Sequence, residues 1–102
     1  MSNPGNGQSF SYNVQISSQI KTIVRQLHRQ AIQQGTGAQF LAAFREAVDR
    51  LRREPLIFGE PLYRLPALQL QVRQAVLLPL VVDFAVHETR PLVLIRGFKV
   101  LS

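Results

Sequence analysis

The sequence has no cysteine, so disulfides, thiolate metal sites and a cysteine nucleophile are all excluded. No uninterrupted apolar run approaches the ~20 residues that a bilayer-spanning helix needs. The opening stretch Met1–Gln8 lacks the basic and apolar regions of a signal peptide, so a cytoplasmic protein without membrane attachment is expected. No two histidines and an acid sit at metal-ligand spacing, no serine lies in an elbow sequence, and paired carboxylates for acid–base work are lacking. Gly5-Asn6-Gly7 precedes a strand instead of joining a strand to a helix, so it is no phosphate loop. No metal and no cofactor are expected. Any catalysis would rest on arginine, lysine, histidine and tyrosine.

Acids are also scarce. Six Asp and Glu face twelve Lys and Arg, ten of them arginine, for a net charge of +6 in 102 residues. That balance favours an anionic partner through long-range attraction, and the planar fork of arginine suits phosphate and carboxylate better than lysine does. At this length a single domain is expected, with 46% hydrophobic residues supplying one core.

Residues 1–8, rich in Gly, Pro and Asn, predict a disordered tail, and 9–102 one domain. Phe10, Tyr12, Val14 and Ile16 alternate with polar residues at the period of a half-buried strand. Ser17 or Ser18 then caps a helix whose apolar stripe is Ile20, Ile23, Val24, Leu27 and Ala31, with Lys21, Arg25, His28 and Arg29 opposite. Gly35 is a natural terminator. A second helix is expected from Gly37 to Arg53, burying Phe40, Leu41, Phe44, Ala47, Val48 and Leu51 and ending before Pro55. The connection is short, so the helices should pair antiparallel. The loop Leu56–Pro61 should tuck Ile57 or Phe58 under them. Three or four strands follow, punctuated by Pro66, Pro79 and Glu88-Thr89-Arg90-Pro91. The expected class is α+β in two layers: an N-terminal strand, an antiparallel helix hairpin, then a three- to four-stranded antiparallel sheet.

Strand alternation sorts the side chains. Leu70 and Val72 oppose Gln71 and Arg73; Leu80, Val82, Phe84 and Val86 oppose Asp83 and His87; Val93 and Ile95 oppose Leu94 and Arg96. A bulge at Gly97 would turn Phe98 inward and bring Lys99 beside Arg96. The expected wet face therefore carries Gln71, Arg73, Asp83, His87, Arg96 and Lys99, with Arg64 near its edge and Tyr63 in the core. Such a face can bind phosphates bidentately, or Asp83 can pair with Arg73 or Arg96 and merely solvate the sheet.

Leu62-Tyr63-Arg64-Leu65, Val81-Val82-Asp83-Phe84-Ala85-Val86 and Leu92-Val93-Leu94-Ile95-Arg96-Gly97-Phe98, taken with length and charge, resemble the strands of the RelE/ParE superfamily of type II toxins. The resemblance covers about residues 8–101. It implies a toxin held inactive by a cognate antitoxin, acting on messenger RNA at the ribosome or on DNA gyrase. If the chain is an enzyme, the resemblance implies a metal-independent endoribonuclease, in which a ribose 2′-hydroxyl attacks the adjacent phosphate and basic side chains stabilise the charge. By position, Arg73 would bind phosphate with Arg96 as its partner and Lys99 adding charge; Arg64, Gln71 and His87 would join Arg73 and Arg96 in holding the nucleic acid. The pattern departs from the family at Leu80-Val81-Val82, where an arginine is often found, and at Val100-Leu101-Ser102, which lacks the family's final aromatic or histidine. These departures suit the alternative of a non-catalytic module that recognises an acidic protein or nucleic acid. A third reading is a structural subunit, for which the apolar run Leu77–Val82 would pair with another chain, a second copy included.

Overall fold

The computed structural model describes residues 11–101. In chain order they form β1 (Asn13–Gln15), α1 (Ser18–Gln33), α2 (Gly37–Arg53), β2 (Glu60–Leu65), a 3₁₀ turn (Pro66–Leu68), β3 (Leu70–Leu77), β4 (Leu80–His87) and β5 (Leu92–Val100). The tail expected over residues 1–8 and the Phe10 end of the first strand lie outside the described residues.

Local chemistry sets the helix ends. Ser17 is extended, and its Oγ accepts the Ile20 backbone N–H at 3.2 Å, satisfying one of the first-turn donors. Gly35 takes φ +80°, which a side chain resists, and so stops α1. Arg50, Arg52 and Arg53 occupy the last turn of α2, where cations complement the helix dipole. The buried stripe of α2 is Phe40, Ala43, Ala47 and Leu51. It packs, with Ile20 and Ala31 of α1, on Leu80, Val82, Phe84 and Val86 of β4 and on Val93, Ile95 and Phe98 of β5. Phe58, 4% exposed, fills the gap beside α2 with its ring stacked on Phe84 at 5.9 Å and the Arg50 guanidinium 4.9 Å above it, whereas Ile57 is 71% exposed. Of the two residues expected to tuck in, Phe58 does so.

The class is α+β, two helices on a five-stranded sheet of order β1-β5-β4-β3-β2. The antiparallel meander expected is present as β2–β5, and β1, whose direction the sequence left open, makes the sheet mixed. β1 runs parallel to β5, pairing Asn13, Val14 and Gln15 with Leu92, Val93 and Leu94. Three residues of alternation carry no information about direction, and the parallel pairing follows from the helix hairpin crossing the sheet before the meander begins.

The face without helices is not bare. Leu70, Val72 and Ala85 form a second small cluster there, flanked by Leu65 and Leu94. β3 is thus buried on both sides, an arrangement that near-continuous apolar strands adopt.

Candidate functional site

Paired residues on adjacent strands share a face, so the register decides which basic groups meet. Gln71 pairs with Val86 and Arg73 with Phe84, both of the helix-side core, and Arg64 pairs with Gln71. His87 pairs with Leu70 and Ala85 with Val72, on the open side. The set of site residues expected together is therefore divided by the sheet. Arg64, Gln71 and Arg73 lie on the helix side; His87, Arg96 and Lys99 lie on the open side. The cause is the two-residue connection Leu78-Pro79, which pairs Leu77 with Leu80 and so ties the odd-numbered residues of β3 to the even-numbered ones of β4. Both alternations of β3 carry apolar residues, Leu70 and Val72 on one and Ala75 and Leu77 on the other, so its pattern alone misassigned the phase.

Arg73 is 5% exposed, and its side chain is a girder. Its guanidinium donates to the backbone carbonyls of Phe58 at 3.4 Å and Gly59 at 3.1 Å and to Gln71 Oε1 at 2.8 Å. Burial pushes its pKa down from the ordinary arginine value. A cation committed to three internal acceptors is a structural residue, which corrects the expectation that it binds phosphate beside Arg96. Arg64 is exposed but engaged, its Nη2 lying 2.8 Å from Glu88 Oε1 with Nε on the other carboxylate oxygen. That hydrogen bond holds the Glu88 carboxyl below the usual carboxylate range.

On the open face Arg96 is the additional residue of a bulge in β5, between the pairs Phe84–Ile95 and Asp83–Gly97. The bulge lets Ile95 and Phe98 both face the helices and sets Lys99 opposite Val81 on the open side. Arg96 Nη1 donates to the hydroxyl of Tyr63 at 3.0 Å. Tyr63, expected in the core, is 49% exposed. It is the participant that sequence reasoning missed, and the signal was available: Tyr63 and Leu65 alternate with Arg64, which places Tyr63 opposite Arg64 in β2. Asp83 pairs with neither arginine; its Oδ1 accepts from Gln74 Nε2 at 2.7 Å. His87 Nδ1 accepts the backbone N–H groups of Thr89 at 3.2 Å and Arg90 at 3.1 Å. It borders a polar recess of about 320 Å³ shared with Tyr12, Gln71 and Arg90.

Three arginines, Arg50, Arg53 and Arg64, hold all the ion pairs among the described residues, and Arg96 and Lys99 lie beyond 4.0 Å of any side-chain carboxylate there. The open face thus presents a guanidinium fork, an ammonium and an exposed phenol, with one carboxylate, Asp83, which accepts from Gln74 and forms no ion pair with either cation. Phosphate recognition asks for that chemistry. A larger, mostly apolar cleft of about 780 Å³ opens where Leu27 and Ala31 of α1 face Leu78, Phe98 and Val100. Among the described residues no three His, Asp or Glu come together to hold a metal, and no helix is long and apolar enough to cross a membrane.

The sequence matches no protein-family model and no curated protein, and the fold matches no solved structure.

Proposed function

We propose that the chain is a toxin-like component of a type II toxin–antitoxin system of the RelE/ParE kind, acting in the cytoplasm on messenger RNA at the ribosome or on DNA gyrase. The observation that carries this reading is the bulged last strand, which offers Arg96, hydrogen-bonded to Tyr63, and Lys99, neither ion-paired with acid, on the face free of helices. The two-layer arrangement of a helix hairpin on an arginine-bearing sheet agrees with the sequence resemblance to that superfamily. The antitoxin would find a receptor in the apolar cleft beside α1. β1 covers only Leu92–Leu94 of β5, so the outer edge from Ile95 to Val100 has no strand partner among the described residues, and an added strand would complete it.

The test is growth after tightly controlled induction of the wild type and of the Arg96→Ala/Lys99→Ala double variant, with folding checked by thermal melting. Growth arrest by the wild type alone supports the reading. Arrest by both would remove the open face as the site, and normal growth with soluble wild type would remove the toxin assignment.

The confinement of Arg73 to the helix side favours a second reading. It leaves one arginine and one lysine on the open face, a thin set for metal-free strand cleavage but sufficient for a non-catalytic module that binds phosphate. RNA bound and recovered intact, with an affinity falling steeply as salt rises, would select that reading over the endoribonuclease.

A further inference from the structure

We propose that the solvent face of α1 is a second nucleic-acid contact, shaped to lie along the backbone of double-helical RNA. It is separate from the open sheet face and does not depend on it.

α1 contains no Asp or Glu in its 16 residues, and no acid occurs in the sequence before Glu46. Lys21, Arg25 and Arg29 are all exposed and stand four residues apart. On a helix that spacing sets them in a line with steps of about 6 Å, inside a strip about 80° wide. The steps are comparable to the separation of successive phosphates along a strand. Exposed Gln19, Gln26 and Gln33 occupy a neighbouring strip about 40° wide.

Like charges at i,i+4 oppose helix formation, and α1 makes no attempt to offset them. α2 does: Arg50 lies between Glu46 and Glu54, and Arg53 is held by Asp49 at 2.5 Å. The uncompensated row on α1 is therefore available to an external anion.

The face also says which anion. Protein interfaces are built on apolar and aromatic anchors, and the strongly exposed apolar side chain of α1, Ile32, sits at its far end against Gly37. No aromatic is exposed there on which single-stranded bases could stack. A phosphate backbone needs only charge and polar donors. The glutamine strip can both donate and accept, matching the 2′-hydroxyls that line the RNA minor groove.

The experiment is fluorescence anisotropy of the full chain with a labelled RNA duplex of about 16 base pairs, titrated at several salt concentrations. In the Lys21→Gln/Arg25→Gln/Arg29→Gln variant the slope of log affinity against log salt should become shallower by about 2.7, since each neutralised duplex phosphate contributes about 0.9. Arg25→Gln alone should remove about 0.9. All these positions are exposed and glutamine is a good helix former, so melting should be unaltered. A DNA duplex of the same sequence should bind more weakly, and Gln19→Ala/Gln26→Ala/Gln33→Ala should erase that preference. An unchanged slope in the triple variant overturns the proposal, as does a slope lost only in Arg96→Gln/Lys99→Gln. Equal binding of the DNA duplex overturns the assignment to RNA. Displacement of the RNA by polyglutamate at matched charge would replace it with an acidic protein.

Discussion

Arg96 on β5 and Tyr63 on β2 meet at 3.0 Å although β4 and β3 lie between their strands. Three strand spacings amount to about 14 Å, so the two long side chains together bridge the open face. Beneath the bridge lie Val72 and Ala85, which are 1% and 0% exposed on a side of the sheet that carries no helix. The bridge is a cover for that cluster as well as a means of aiming the Arg96 guanidinium.

The two roles separate by mutation. Tyr63→Phe removes a hydrogen bond and should cost about 0.5–1.5 kcal/mol or less. Tyr63→Ala also uncovers the apolar surface of Val72 and Ala85 and should cost about 1–2 kcal/mol more. Urea unfolding of both variants checks this. Equal costs would mean that the ring covers nothing.

Arg73 ties the loop after α2 to the sheet. Arg73→Ala leaves the carbonyls of Phe58 and Gly59 without their donor and should destabilise the fold by about 2–4 kcal/mol. Arg73→Lys keeps the charge but loses the fork that reaches both carbonyls and Gln71, so it should recover less than half of that loss. A near-neutral Arg73→Ala in thermal and urea unfolding would show that the girder carries no weight. The same result would return Arg73 to the list of residues free to act on a ligand.

Glu88 gives stability a defined pH dependence. Its hydrogen bond from Arg64 depresses the carboxyl pKa in the folded protein relative to the unfolded chain. The stabilisation is therefore present above the ordinary glutamate pKa of about 4.3 and disappears as pH falls through the lower folded value. Glu88→Gln should melt below the wild type at neutral pH and together with it once both states are protonated. A gap that persists or widens in acid would contradict the pairing.

Gly59 stands where the chain leaves the α2 loop for β2. Its φ is +73°, and a Cβ there would approach Gln74 O to 2.3 Å and Ala75 Cα to 2.8 Å. Those neighbours are backbone of a central strand and cannot yield. Gly59→Ala should cost at least about 2 kcal/mol, from the left-handed conformation and the clash together. Gly35→Ala meets the conformational penalty with nothing within 4 Å of the new methyl, so it should cost less. Thermal melting of the pair isolates the steric contribution.

The helices were legible in the sequence because their signals are local. Ser17 reaches Ile20 three residues away, Gly35 needs only its own dihedral angle, and the apolar stripe of each helix repeats within a few turns. The bulge near Gly97 was legible for the same reason, since Ile95 and Phe98 need it to share a side. The loop residue that turns inward was narrowed to Ile57 or Phe58 but not chosen, because the choice depends on the distant ring of Phe84.

What the amino-acid sequence determined by itself was therefore the α+β class, the helix boundaries, the excess of positive charge and the two alternating sets of side chains in each strand. Which set of β3 meets the helices was decided only in the tertiary structure, by the Leu77–Leu80 register across Leu78-Pro79. That decision buried Arg73, separated it from Arg96 by the thickness of the sheet, and left Tyr63 across from Arg96 instead. The parallel seat of β1 beside β5 was decided there too. The physical reason is common to both. Alternation records that a strand has two faces, but hydrogen-bond register and the limited width of two helices determine which face is covered.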